Sequence, residues 1–362
     1  MTSATSVAGN NDSHEPLFTI LLPTHARADV IGFAIQSVLA QYFQSFELMV
    51  IGDGAEPGTK DAVMAFGDPR IQWLDLPKSP GFGYANRNVA LRIARGKYVA
   101  FVADDDLLLP DHLSLLKEQL DTGAKLACVR AAWVSSDGIA APFPNNLSLP
   151  DELEAFMTRS NSMPASCFAY RKDALDDNSH WPEDGQGAGD WRLWHRMLTE
   201  NPTRPMGVIS SYSVLHFAAR RRASRFSDMP ELAYLLQIAD HSDWWPKVLR
   251  ADIADGQIEQ AVYHAILVAP NGPARLRAAL QIVSDRLAWE AIQSSIPDQR
   301  RLVVQTPVAK SVATEVPEDF DPLQYLLLNP DVALSGMDAN DHWLRYGQFE
   351  LRPYRKSAPA AS

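Results

Sequence analysis

Apolar residues in the first half of the chain fall in short runs, divided by stretches with helical spacing. Leu17 to Leu22 is one such run, ending at Pro23, with the length and composition of a buried strand. Val30, Phe33, Ala34, Ser37, Val38 and Gln41 then recur at three- and four-residue steps. That spacing predicts a helix opened by Asp29 with one mostly apolar face. Phe46 to Ile51 predicts a second strand, running straight into Gly52-Asp53-Gly54. A helix is expected over Thr59 to Phe66, a strand over Ile71 to Leu74 and a loop at Gly81 to Gly83. A further helix over Tyr84 to Arg95 is expected to stop at Gly96 as its C′ residue. Tyr98 to Val102 reads as a strand that stops at three consecutive carboxylates, Asp104, Asp105 and Asp106.

Strands alternating with helices predict an α/β fold, a mainly parallel sheet with helices on both faces. In a parallel sheet Asp53 and the Asp104 to Asp106 group share one edge. Open α/β sheets bind their ligands there, at the carboxyl ends of the strands. Three adjacent acids repel one another and resist burial unless water or a cation neutralises them. Hard oxygen ligands suit Mg²⁺ or Mn²⁺, which need only one or two carboxylates when substrate phosphates supply the rest. The plain alternative is a solvated acidic turn before a helix started by Pro110 and Asp111.

Downstream, a helix is expected over Asp111 to Leu120 and a strand over Ala124 to Val134. The strand turns at Asp137-Gly138 and returns over Ile139 to Phe143. A helix over Asp151 to Thr158 and a strand over Ser166 to Tyr170 follow. His180 to Gly189 is a long loop, a feature often tied to function. It leads to a helix over Asp190 to Glu200 and a strand over Met206 to Val214, with His216 and the arginines 220, 221, 222 and 225 beyond it. The expected organisation is a disordered N-terminus over 1–16, an α/β domain over 17–229, a helical region over 230–304, a linker over 305–317 and a small aromatic-rich module over 318–355.

Composition excludes some classes. The 362 residues are 46% hydrophobic and 21% charged, ample for a buried core. A net charge of −11 makes a poor general binder of nucleic acid, although a local basic patch can hold a phosphate. The two cysteines, Cys128 and Cys167, lie far apart and read as buried thiols in a reducing compartment. No signal peptide and no apolar run of membrane-spanning length is seen, so a cytoplasmic location is expected, with peripheral attachment at the inner face of the cell membrane left open.

PTHARAD after the first strand, GDGA after the second, then GFGYANRNVA, FVADDDLLLP and GAGDWRLW follow in order. Together they resemble a family 2 glycosyltransferase with the GT-A fold, over about Phe18 to Arg225. The order of five motifs carries the resemblance, since each alone is weak. It implies a donor nucleotide site formed by Pro23, Thr24, Arg27, Asp53, Asn86, Arg87 and Asp104. It implies metal binding by Asp105, with Asp106 as the neighbour able to share that role, and Mn²⁺ or Mg²⁺ as cofactor. It implies Asp190 as the general base of an inverting transfer, from a UDP- or dTDP-sugar to a glycan or lipid-linked glycan hydroxyl. His216, Arg221 and Arg222 are candidate contacts to diphosphate or acceptor. The sequence departs from the family at Gly52, Ala103 and Gly189, each of which stands where many members carry an acid. The tail from Phe320 to Tyr354 resembles a short repeat found beside bacterial polysaccharide-synthesis enzymes, and an interaction module for another protein or a glycan is expected.

Each residue also has a plain reading. Asp53 could be turn chemistry, Asp190 a helix N-cap, His216 a structural histidine, and the arginines a solvated face. Trp191 and Trp194 read better as packing than as sugar stacking. Two other functions fit the same α/β sheet. A nucleotidyltransferase would want a glycine-rich loop after the first strand, which PTHARAD lacks, and a non-catalytic glycan-binding scaffold would not need Asp105 and Asp190.

Overall fold

The computed structural model describes residues 15–134, 138, 140–143, 146–159, 161, 163–177, 179–201, 206–217, 249, 258–295, 315–348, 352 and 354. The expectations for the N-terminus up to residue 14, for Arg221 and Arg222, for the first part of the helical region and for most of the linker lie outside the described residues. Internal contacts divide the chain into two compact units. One holds Met1–Asp104, Pro110–Val129 and Leu147–Ile209; the other holds Asp105–Leu109, Arg130–Asn146 and Ser210–Ser362.

The first unit starts as expected. Strands β1 (Phe18–Thr24), β2 (Phe46–Asp53), β3 (Ile71–Leu76) and β4 (Tyr98–Phe101) pair in parallel in the order β3-β2-β1-β4. Helices α1 (Ile31–Leu39), α2 (Thr59–Met64) and α3 (Tyr84–Ile93) connect them. Phe18, Ile20, Leu22, Leu48, Val50, Tyr98 and Val99 are fully buried, as near-continuous apolar runs in a covered sheet must be. The parallel character ends at β4. Beyond it β8 (Phe168–Arg171) is antiparallel to β4, and the first residues of β6 (Leu126–Val134) are antiparallel to β8. Helices α4 (His112–Asp121), α5 (Pro150–Thr158) and α6 (Gly189–Glu200) complete the unit.

Several boundaries differ from the pattern for physical reasons. α1 begins at Ile31 with Val30 at the cap position, so Asp29 does not open it. Pro23 stays within β1, in register with Ile51 of β2. Gly96 is not a helix C′ residue, because α3 ends at Ile93 and Ala94 is already extended. Its small size serves packing instead. A Cβ there would run into the backbone of Phe18 and Thr19, and its N–H donates to Thr19 Oγ1 at 2.9 Å. Trp194 is fully buried and stacks on Phe168 at 4.7 Å, so packing is its role.

In the second unit β5 (Asp106–Leu108) runs antiparallel to β9 (Gly207–His216), and β9 lies between β5 and β6. The end of β6 pairs with the short β7 (Ala140–Pro142). Helices at Ile258–Val268 and Gly272–Ser295 occupy the helical region, and Tyr263 donates from its hydroxyl to the Leu108 carbonyl at 2.9 Å. The tail folds as a small helical module. Tyr325, Val332, Ala339 and Trp343 form its core, with Phe320 and Tyr354 packed against it. Asp321 caps the helix Pro322–Leu328 by accepting from the N–H groups of Leu323 and Gln324, and Asp338 caps the next short turn in the same way.

Candidate active site

The strand ends of the first unit gather the predicted nucleotide residues in two clusters. Thr24, the last residue of β1, donates from Oγ1 to Asp104 Oδ2 at 2.9 Å. Arg27 approaches the other oxygen, Nε to Oδ1, at 3.9 Å. Asp104 is largely buried, with Thr24 hydrogen-bonded to its carboxylate and Arg27 facing it. At the end of β2, Asp53 is 5% exposed. Its Oδ1 accepts from the Ser79 N–H at 2.7 Å and from Asn86 Nδ2 at 2.7 Å, and its Oδ2 pairs with the ammonium of Lys78. Asn86 also donates to the Pro77 carbonyl at 2.8 Å. Asp53 therefore ties the segment 77–86 to the sheet, which exceeds simple turn chemistry. Asp53 and Asn86, singled out in the sequence, are brought together here with Lys78, which was not, since a lysine in LPKSPGFG carries no pattern that marks it.

Arg87 does not join these clusters. Its guanidinium donates to the Phe82 carbonyl at 2.7 Å and lies 4.8 Å from the centre of the Tyr84 ring.

Asp190 is the second residue of α6, and it makes no side-chain cap. The cap position belongs to Ala188, in the left-handed region at φ 59°. The indole of Trp181 donates to Asp190 Oδ1 at 2.9 Å. The Tyr84 ring lies against Gly189 at the start of α6. The pKa of the Tyr84 hydroxyl is raised, first by burial and then by the negative charge of Asp190. Gly189 explains itself here: a Cβ would lie 2.5 Å from Tyr84 Cε2, so the ring fills the space a side chain would need. Tyr84, Asn88 and Trp181 were not picked out in the sequence. The available signals were the second asparagine of ANRN and the length of the loop that holds Trp181.

Asp104 closes a segment of the first unit, and Asp105 opens one of the second. Within the second unit Asp106 is fully buried at the start of β5, and its Oδ1 lies 2.7 Å from His216 Nδ1. His216 is flanked by the rings of Phe143 and Trp133 at 5.7 and 6.5 Å. Asp106, expected as a metal neighbour, is a buried partner of His216. Among the described residues no three His, Cys, Asp or Glu side chains form a ready cation cage. An ion that takes one or two carboxylates and completes its shell with phosphate oxygens needs no such cage. The hard oxygens of adjacent aspartates fit that demand.

The Glycosyl transferase family 2 model matches residues 19–178. That stretch is a family 2 glycosyltransferase domain. It contains the parallel strands and both residue clusters described above, and it ends before Asp190. The succinoglycan biosynthesis protein ExoO of Rhizobium meliloti (strain 1021) is 36% identical over 124 residues, covering 34% of this chain and 35% of that protein. The UDP-Glc:alpha-D-GlcNAc-diphosphoundecaprenol beta-1,3-glucosyltransferase WfgD of Escherichia coli is 33% identical over 99 residues, 27% of this chain and 39% of that protein. The chain thus spans well under half the length of these relatives. The crystal structure of S. aureus TarS 1-349 in complex with UDP-GlcNAc has a TM-score of 0.46 at 18% identity, over 74% of this chain and 87% of that chain. No helix among the described residues is long and apolar enough to cross a membrane.

Proposed function

We propose that the protein transfers a sugar from a nucleoside diphosphate donor to a hydroxyl of a growing surface glycan. The observation that carries this reading is the pair of clusters at the carboxyl ends of β1 and β2, Thr24–Asp104–Arg27 and Asp53–Asn86–Lys78, inside a domain of this family. A UDP-sugar is the favoured donor, supported by the activity named for WfgD, and dTDP-sugar is the second choice. A polysaccharide setting is supported by the name of the Rhizobium relative. The acceptor would be a glycan or lipid-linked glycan, which a protein at the inner face of the membrane could reach.

The chemistry assigns one task to each group. The acceptor oxygen bonds to the anomeric carbon as the bond from that carbon to the diphosphate oxygen breaks. The acceptor proton passes to Asp190, and the nucleoside diphosphate leaves with the electron pair. One base and one displacement invert the anomeric centre. A positioned carboxylate contributes on the order of 10²–10⁴-fold to such a step. Mn²⁺ or Mg²⁺ bound at Asp105 would supply Lewis-acid stabilisation of the departing diphosphate. Arg27 and Lys78 bring fixed positive charge to the strand ends.

Thermal unfolding with UDP, dTDP, GDP and CMP, each with and without Mn²⁺, tests the donor assignment. A ligand at about 100 times its dissociation constant adds roughly 2.7 kcal/mol, a readable shift. A Mn²⁺-dependent shift with UDP or dTDP is expected. A shift with none of the nucleotides, joined by no sugar transfer, would favour the scaffold reading.

A further inference from the structure

Two side chains of one helix stand behind Asp190, Tyr84 beside Gly189 and Asn88 through Trp181. Tyr84 and Asn88 stand one turn apart on α3, so they share a face. Tyr84 stands beside the start of α6, the helix that carries Asp190. Its ring rests against Gly189, where no Cβ intervenes. Asn88 is fully buried and clamps the peptide of Trp181 twice. Its Nδ2 donates to the Trp181 carbonyl at 2.9 Å, and its Oδ1 accepts the Trp181 N–H at 3.0 Å. The indole of Trp181 packs edge-on against Phe101 at 5.4 Å and is 1% exposed. Its N–H then has one acceptor, Asp190 Oδ1. Among the described residues no other side chain donates to the Asp190 carboxylate.

We infer that Trp181, fixed by Asn88, is a positioning residue for the base: it locks the Asp190 carboxylate by one oxygen and turns Oδ2 toward the acceptor hydroxyl. This rests on the reading of Asp190 as the base. A carboxylate at the start of a helix can otherwise rotate about its last bond, and a base held in one orientation reacts without that reorganisation. Asn88 matters because the Trp181 ring is held by packing, whereas its backbone in the loop is fixed by the two Asn88 bonds. α3 thus holds the loop at Trp181 and packs against Gly189, next to Asp190, through Tyr84.

The test compares Asp190→Asn, Trp181→Phe and Asn88→Asp in the full chain. Asp190→Asn is measured first. If it keeps full transfer, the base reading fails and this inference with it. If it is inactive, Trp181→Phe, which keeps a ring but lacks the N–H, decides the inference. It should lower kcat about 10-fold, the effect of one hydrogen bond of roughly 1.4 kcal/mol, with donor KM within about twofold. Asn88→Asp, which removes the Nδ2 donor to the Trp181 carbonyl and to Glu183 Oε1, should lower kcat in the same sense. A kcat equal to that of the parent in Trp181→Phe, with intact folding, overturns the inference. A readout independent of turnover guards against variants that fold poorly. In ¹H–¹⁵N spectra of the otherwise unaltered chain, one indole N–H signal should move in Asp190→Asn, and it should be the signal missing from Trp181→Phe. An indole spectrum indifferent to Asp190→Asn overturns the inference equally.

Discussion

Asp106 and His216 face each other across paired antiparallel strands, with Asp106 Oδ1 2.7 Å from His216 Nδ1. This relationship gives two of the three consecutive aspartates different partners: Asp104 takes the Thr24 hydroxyl and Asp106 the His216 ring. The proposed metal role of Asp105 is tested separately. Asp106→Ala leaves His216 without that partner and should lose about 1–3 kcal/mol of stability in urea unfolding. Asp105→Ala should unfold like the parent yet lose the Mn²⁺-dependent part of the stabilisation by UDP. Parent-like metal dependence in Asp105→Ala would remove the metal assignment.

Chelation tests the same ion without mutation. Dialysis against a chelator should abolish transfer, and Mn²⁺ or Mg²⁺ should restore it. Full activity in the chelated protein would mean that Arg27 and Lys78 suffice to stabilise the leaving group.

Gly83 stands against Asp53. Its φ is +76°, and an added Cβ would lie 2.7 Å from Asp53 Oδ2. Gly83→Ala therefore meets both a left-handed backbone and a carboxylate that Ser79, Asn86 and Lys78 hold in place. Roughly 1–2 kcal/mol of backbone strain should appear in thermal unfolding. Calorimetric titration should show weaker UDP binding in the same variant. A variant as stable as the parent would show that Asp53 yields easily.

Tyr84 and Gly189 give a double-mutant cycle. Gly189→Ala alone forces the ring aside and should cost about 1–3 kcal/mol. In a Tyr84→Ala background the same change should cost far less, because the obstructing ring is gone. Additive losses would mean that the two residues do not share the space.

Glu47 sets a pH dependence of stability. Burial pushes its carboxyl up, but hydrogen bonds from Thr19 and Arg95 outweigh burial and leave the pKa below the ordinary 4.5. Thr19 Oγ1 donates at 2.7 Å and the Arg95 N–H at 2.7 Å. A pKa lowered by folding gives stability that is fully present above the unfolded value and is lost as pH falls through the folded one. Glu47→Gln should be less stable than the parent by about 1–3 kcal/mol at pH 7, with the gap closing below about pH 4. Urea unfolding at pH 7 and at low pH reads this directly, and a gap of constant size would refute the assignment.

The sequence by itself determined what is local and periodic. Runs such as Leu17 to Leu22 and Phe46 to Ile51 had to be covered strands, and their alternation with helices had to give a parallel sheet. From there the placement of Asp53 and Asp104 at one edge followed, and motif order pointed to the family. The tertiary structure alone decided what depends on partners distant in sequence. Nothing near Asp106 in the chain announces His216, 110 residues on, and nothing near Gly96 announces the backbone of Thr19. Gly189 looked like a lost acid until Tyr84 was seen to occupy its space. Trp181 looked like a loop residue until Asn88, 93 positions earlier, was found to hold it. Hydrophobic period is written along the chain because it reflects one element at a time. A buried polar side chain must find a hydrogen-bond partner wherever the fold delivers one, and that partner has no fixed distance in sequence.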